Sequence, residues 1–162
     1  MYGEIFDDDR EEFFDALCFG EGELPLEELI GSTDSKAYLD SSPHWITRNS
    51  YKTSQFEHLF IEDLDEIPPL NYELLSVSDY QHSPTIKAYT QIEDTTNYIT
   101  YMTSRGCPFL CTFCSAHTVH GRKMRYFSLE RIAKELRDLQ SVNNAKTLVI
   151  EDDHFLSDND RA

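Results

Sequence analysis

The sequence predicts an α/β fold, and two observations carry this. Residues 98–162 read as strand, loop, helix and strand in that order, which is one βαβ unit with parallel strands. The chain before it shows no second unit of that kind. Residues 1–30 read as acidic short helices, and 31–97 as an irregular linker.

Taken in order, Phe13, Phe14, Leu17 and Cys18 fall at i, i+1, i+4 and i+5, one apolar face of a short helix. Gly20 and Gly22 interrupt it. Residues 24–30 form a second short amphipathic stretch, with Pro25 near its start and Gly31 as its stop. From 31 to 97, Ser, Thr, Asp, Asn and Tyr dominate without a period, and Pro43, Pro68, Pro69 and Pro84 punctuate the chain. Residues 61–69 read as extended backbone running into a proline brake. Residues 98–103 are β-branched and aromatic, which predicts a strand. Ser128 then caps a helix whose apolar positions Leu129, Ile132, Ala133, Leu136 and Leu139 share one face. Asn143 and Asn144 mark a turn. Residues 147–150 form a mostly apolar second strand ending in Glu151, Asp152 and Asp153. A crossover of this kind is right-handed.

Composition and charge narrow the function. The chain has 162 residues, with 14 Lys+Arg against 30 Asp+Glu and a net charge of −16. Ten Phe and nine Tyr supply bulk for a core. Residues 1–30 hold eleven acids and one base, whereas 105–146 hold eight bases and three acids. The acidic balance argues against nonspecific nucleic-acid binding. Apolar runs such as 147–150 are too short to span a membrane. The acidic start has neither the basic nor the apolar region of a signal peptide. The chain therefore reads as cytoplasmic, where its four cysteines stay thiols.

Three of those cysteines carry the chemistry. Cys107, Cys111 and Cys114 stand at C-x3-C-x2-C spacing in a loop directly after the first strand. Three soft thiolates in one loop point to zinc or an iron–sulfur cluster. Three ligands suit a 4Fe–4S cube with one iron open. Structural zinc asks for a fourth ligand, which here is His117, His120 or Cys18. The position after a strand favours the cluster, since α/β sheets place their sites there. A non-catalytic zinc-binding or interaction module is the alternative.

The loop resembles the signature of the radical S-adenosylmethionine superfamily, with Phe113 at its aromatic position. Residues 121–132 and the strand ending Glu151-Asp152-Asp153-His154-Phe155 resemble that superfamily's cobalamin-binding-domain subgroup. So do Gly20-Glu21-Gly22-Glu23 and residues 63–69. The resemblance implies a partial TIM-type barrel whose first βαβ portion is residues 98–162. It implies that residues 1–30 are the remnant of an upstream cobalamin-binding-like domain. It also implies that the chain is a fragment, truncated at both ends.

Further implications attach to single residues. Cys107, Cys111 and Cys114 would each ligate one iron of a 4Fe–4S cluster, and S-adenosylmethionine would chelate the fourth. An electron, delivered by a donor protein, would cleave S-adenosylmethionine reductively and start radical chemistry on a substrate. Phe113 would sit near the adenine. Asp152 or Asp153 would accept hydrogen bonds from the ammonium group, where the family has Gly-Gly-Glu. None of the six histidines lies in the D-x-H-x-x-G motif of a cobalamin site. Other residues read as background. Arg105 reads as a turn residue; Arg122, Lys123 and Arg125 as a solvated face; His154 as a surface histidine; and Cys18 as a buried thiol.

Overall fold

The computed structural model describes residues 14–53, 55–74, 98–144, 146–158 and 160. It is an α/β chain with short helices and small two-stranded sheets. Two compact units divide it: Met1–Ile61 with Thr112–Gly121, and Glu62–Cys111 with Arg122–Ala162. Expectations for residues 1–13 and 75–97 lie outside the described residues. Among the described residues, no helix is long and apolar enough to cross a membrane.

In the first unit, β1 (Ala16–Cys18) pairs antiparallel with β2 (Trp45–Thr47), setting Leu17 opposite Ile46. The helix expected around residues 13–18 is thus a strand from Ala16 onward. Its apolar spacing also fits a short strand, and pairing with the buried Ile46 decides between the two. Helix α1 (Glu23–Gly31) forms where expected. Pro25 sits in its first turn, where backbone N–H groups have no intrahelical partner, so the ring costs nothing there.

The stretch that reads as irregular carries helix α2 (Ser35–Ser41) as well as β2. Asp34 caps α2 by accepting from the Ala37 N–H at 3.0 Å. None of the residues of α2 is buried, which is why no apolar period announces it. The Tyr38 hydroxyl donates to Glu28 at 2.6 Å and ties α2 to α1. At the end of β2 and just beyond it, the Thr47 hydroxyl and the Asn49 amide both donate to Asp40, at 2.6 and 2.8 Å.

The second unit holds the βαβ element. Strand β3 (Tyr98–Tyr101) pairs in parallel with β6 (Thr147–Ile150), with Tyr98 opposite Thr147 and Tyr101 opposite Ile150. The crossover contains α4 (Leu129–Asn143). Ser128 caps it by accepting from the Arg131 N–H at 3.2 Å, and Asn144 closes it in the left-handed conformation at φ 52°. Ile99, Tyr101 and Leu139 form the core, with Tyr72, Ile132 and Leu136 packed against them. The Tyr101 hydroxyl donates to Glu135, whose other oxygen accepts from Arg131, both at 2.7 Å. Desolvation and the Glu135 carboxylate push the Tyr101 phenol far above its ordinary value, so it is a fixed donor.

A short turn anchors the start of α4. Leu64, fully buried, lies in a 3-10 turn at Leu64–Glu66. One Arg131 nitrogen donates to the Leu64 and Asp65 carbonyls, each at 3.0 Å, and the Asp65 carboxylate accepts from the Ser128 N–H at 3.0 Å. Burying a leucine of this size contributes about 2 kcal/mol.

Candidate functional site

The cysteine loop grows out of the end of β3. After Tyr101 the chain forms β4 (Ser104–Arg105), which pairs antiparallel with β5 (Arg125–Tyr126). Arg125, expected on a solvated face, is instead buried; it stands in β5 at the ladder position opposite Arg105. Gly106 then takes φ 98°, a conformation that a side chain would strain, and the chain turns into Cys107. Phe109, Leu110 and Phe113 are exposed, Phe113 at 91%. All four cysteines are free thiols: Cys107 is half-buried, and Cys111, Cys114 and Cys18 are exposed. Cys18, expected to be buried, lies on the two-stranded ladder of β1, too small a sheet to cover it. Desolvation and the Glu23 carboxylate still push its thiol above the ordinary value.

The residues that lead into the loop are bonded to the chain that follows β6. Just past the end of β6, Asp152 accepts four hydrogen bonds. Oδ1 takes the backbone N–H of Thr103 at 2.6 Å and of Ser104 at 3.2 Å. Oδ2 takes the Thr103 hydroxyl at 2.5 Å and the Ser104 hydroxyl at 2.8 Å. Ser104 is 2% exposed. Asp153, which follows Asp152, is exposed. His154, expected at the surface, is half-buried and stacks on Phe109 of the loop, with centroids 5.1 Å apart. The stack forms because the turn after β6 brings residue 154 beside the apolar rim of the loop.

In the first unit, residues that follow the loop are held by Glu21. This carboxylate is almost fully buried; one oxygen accepts from the Ile61 N–H at 2.8 Å, and the other lies 3.3 Å from His120 Nδ1. Gly121 follows at φ 73°, and a Cβ there would meet the Phe60 ring at 3.2 Å. The positive φ favours glycine, and a side chain there would also have to displace the Phe60 ring by a few tenths of an ångström. His120 therefore serves a carboxylate. The α3 turn (Ala116–Val119) carries His117.

Among the described residues, no group of three or more His, Cys, Asp or Glu side chains is gathered as a ready metal site. The donor set itself has the right chemistry for a cluster: three free thiols at short spacing, each at least partly open to solvent. Sequence reasoning missed Thr103, Ser104 and Glu21 as site residues, and it weighed His120 only as a zinc ligand, not as the partner of Glu21. The only local sign was the Thr-Ser pair standing directly before the loop.

No protein-family model matches the chain, and no solved structure matches it. Three curated proteins do. The chain is 33% identical over 153 residues to an uncharacterized methyltransferase of Pyrococcus horikoshii, covering 91% of this chain and 30% of that protein. It is 30% identical over 133 residues to the hopanoid C-3 methylase of Methylococcus capsulatus, covering 82% of this chain and 23% of that protein. It is 34% identical over 56 residues to the bacteriochlorophyllide d C-12(1)-methyltransferase of Chlorobaculum tepidum, covering 35% of this chain and 11% of that protein. The relatives carry methyltransferase or methylase names, and the chain spans less than a third of the length of each.

Proposed function

We propose that this chain carries the opening part of a radical S-adenosylmethionine core that serves methyl transfer, with residues 98–162 as the first βαβ portion of a partial TIM-type barrel. The single observation that carries the reading is the Cys107-x3-Cys111-x2-Cys114 loop, set directly after the first strand of a parallel βαβ unit. The methyl-transfer names of its relatives support it. Residues 1–30 stand in this reading for the end of an upstream domain, and 31–97 for the connection to the core.

Cys107, Cys111 and Cys114 would hold a 4Fe–4S cluster, losing their protons as thiolate ligands form. The chemistry supplied there, with the cluster bound, is one-electron reductive cleavage of S-adenosylmethionine, and the electron comes from a donor protein. Phe113 offers an exposed aromatic face for the adenine. Asp153 offers an exposed carboxylate for the ammonium group. Phe109 of the loop stacks on His154 just past β6, which fixes that part of the loop against the second strand. No role is assigned to the six histidines as a cobalamin ligand, since none stands in the D-x-H-x-x-G motif.

The test is anaerobic reconstitution of the purified chain with iron and sulfide, read by metal analysis and by EPR with and without S-adenosylmethionine. About four irons per chain, with a signal that changes on adding S-adenosylmethionine, supports the reading. Zinc uptake at about one ion per chain without a cluster signal replaces it with a structural-metal module. Absence of any metal uptake rejects both.

A further inference from the structure

We infer that Asp152 is a positioning residue that sets the launch of the cysteine loop. The inference rests on the cluster reading for what the loop holds, and on geometry alone for what holds the loop.

A carboxylate offers about four lone-pair sites on its two oxygens. Asp152 fills all of them with two backbone N–H groups and two hydroxyls, all from Thr103 and Ser104. Of the two acids that a ligand's ammonium group would meet at this strand end, Asp152 therefore has no oxygen to spare, and Asp153 does. The residues Asp152 holds are separated from Cys107 only by Arg105 and Gly106.

The donors lie beyond the end of the β3–β6 ladder, where Ser104 begins the short β4–β5 ladder. The ladder of β3 with β6 ends at Tyr101 and Ile150, and the Glu151 N–H gives it one more bond, to the Tyr101 carbonyl at 3.0 Å. Beyond that point Asp152 takes over the role of a strand and captures two successive amides on one oxygen. Charge-assisted bonds of this kind are about twice as strong as neutral ones. Ser104 is buried, so its hydroxyl and amide have no water to turn to when the acceptor is lost. The second strand of the unit thereby reaches across and fixes the direction in which the first strand hands the chain to its cysteines.

The experiment compares the full chain with Asp152→Asn, the double variant Thr103→Val/Ser104→Ala, and Glu151→Gln as a charge-matched neighbour. Amide hydrogen exchange is read at Thr103 and Ser104 and across β3 and α4, together with the alkylation rate of Cys107 and iron bound after reconstitution. In Asp152→Asn we expect exchange at Thr103 and Ser104 to accelerate by about tenfold or more, while α4 keeps its protection. Cys107 alkylation should change and iron retention fall by at least about half, with Glu151→Gln like wild type. The double variant keeps the carboxylate and both amides, so it should show a smaller acceleration.

If neither variant changes exchange at Thr103 and Ser104, the inference is overturned. It is equally overturned if exchange accelerates uniformly through β3 and α4 in both variants, because Asp152 is then only a general stabiliser. If the wild-type chain binds no iron while exchange and alkylation change locally in Asp152→Asn, the cluster reading fails and the positioning role stands.

Discussion

Asp40, near the end of helix α2, shows how much one side chain can do. It accepts from Thr47 and Asn49, and those two bonds hold its carboxyl below the ordinary carboxylate value. A lowered value in the folded state contributes stability above the ordinary carboxylate range, and that contribution is lost as pH falls through the lowered value. Urea midpoints of wild type and Asp40→Asn should therefore differ by a constant amount near neutrality and converge on acidification. A gap that persists unchanged into acid would refute the assignment. Glu21 makes a second case. Glu21→Ala removes the acceptor of the Ile61 N–H and the partner of His120, for a loss of about 1–3 kcal/mol, while Glu21→Gln keeps an acceptor and should lose less. At this scale the sequence disclosed local chemistry and concealed distant pairing. The three cysteines were legible because their spacing is contained in one loop. Asp152 with Thr103, 49 residues away, and Glu21 with His120, 99 residues away, leave no mark on spacing.

Among the elements, those with a strong period were readable. Helix α4 has its apolar stripe, its Ser128 cap and its Asn144 stop, and β3 and β6 have β-branched runs, so each could be placed from the sequence. The three-residue strands and the wholly unburied α2 have no period to read. Their existence depends on pairing and capping: Leu17 on Ile46, and Asp34 on Ala37. The caps of α4 can be tested directly. Ser128→Ala should cost about 1 kcal/mol in urea denaturation, since it leaves the Arg131 N–H without its acceptor. Asn144→Gly should gain up to about 1 kcal/mol, because glycine adopts φ 52° without strain. If the two changes shift stability in the same direction, the capping account of α4 is wrong.

For the molecule as a whole, the sheet sets the remaining expectation. Among the described residues, β3 and β6 pair only with each other, and no described strand lies on the outer edge of either. Beside that edge, Leu148 and Ile150 of β6 are about 40% and 36% exposed, and Leu156 just beyond them is 63% exposed. A two-stranded sheet with an apolar side open to water is marginal by itself and is a template for pairing with another chain. The alternation of β6 was visible in the sequence only as an apolar run, because nothing local says which neighbours cover a strand. The chain should bind a hydrophobic dye such as ANS and sediment as a concentration-dependent mixture. Lysine opposes edge pairing by placing a charge that resists desolvation, so Leu148→Lys with Ile150→Lys should lower both signals. Far-UV circular dichroism should stay unchanged, because neither side chain belongs to the core of Ile99, Tyr101 and Leu139. If the double variant associates as strongly as wild type, contact between chains lies elsewhere, and the open side of β6 has no part in it.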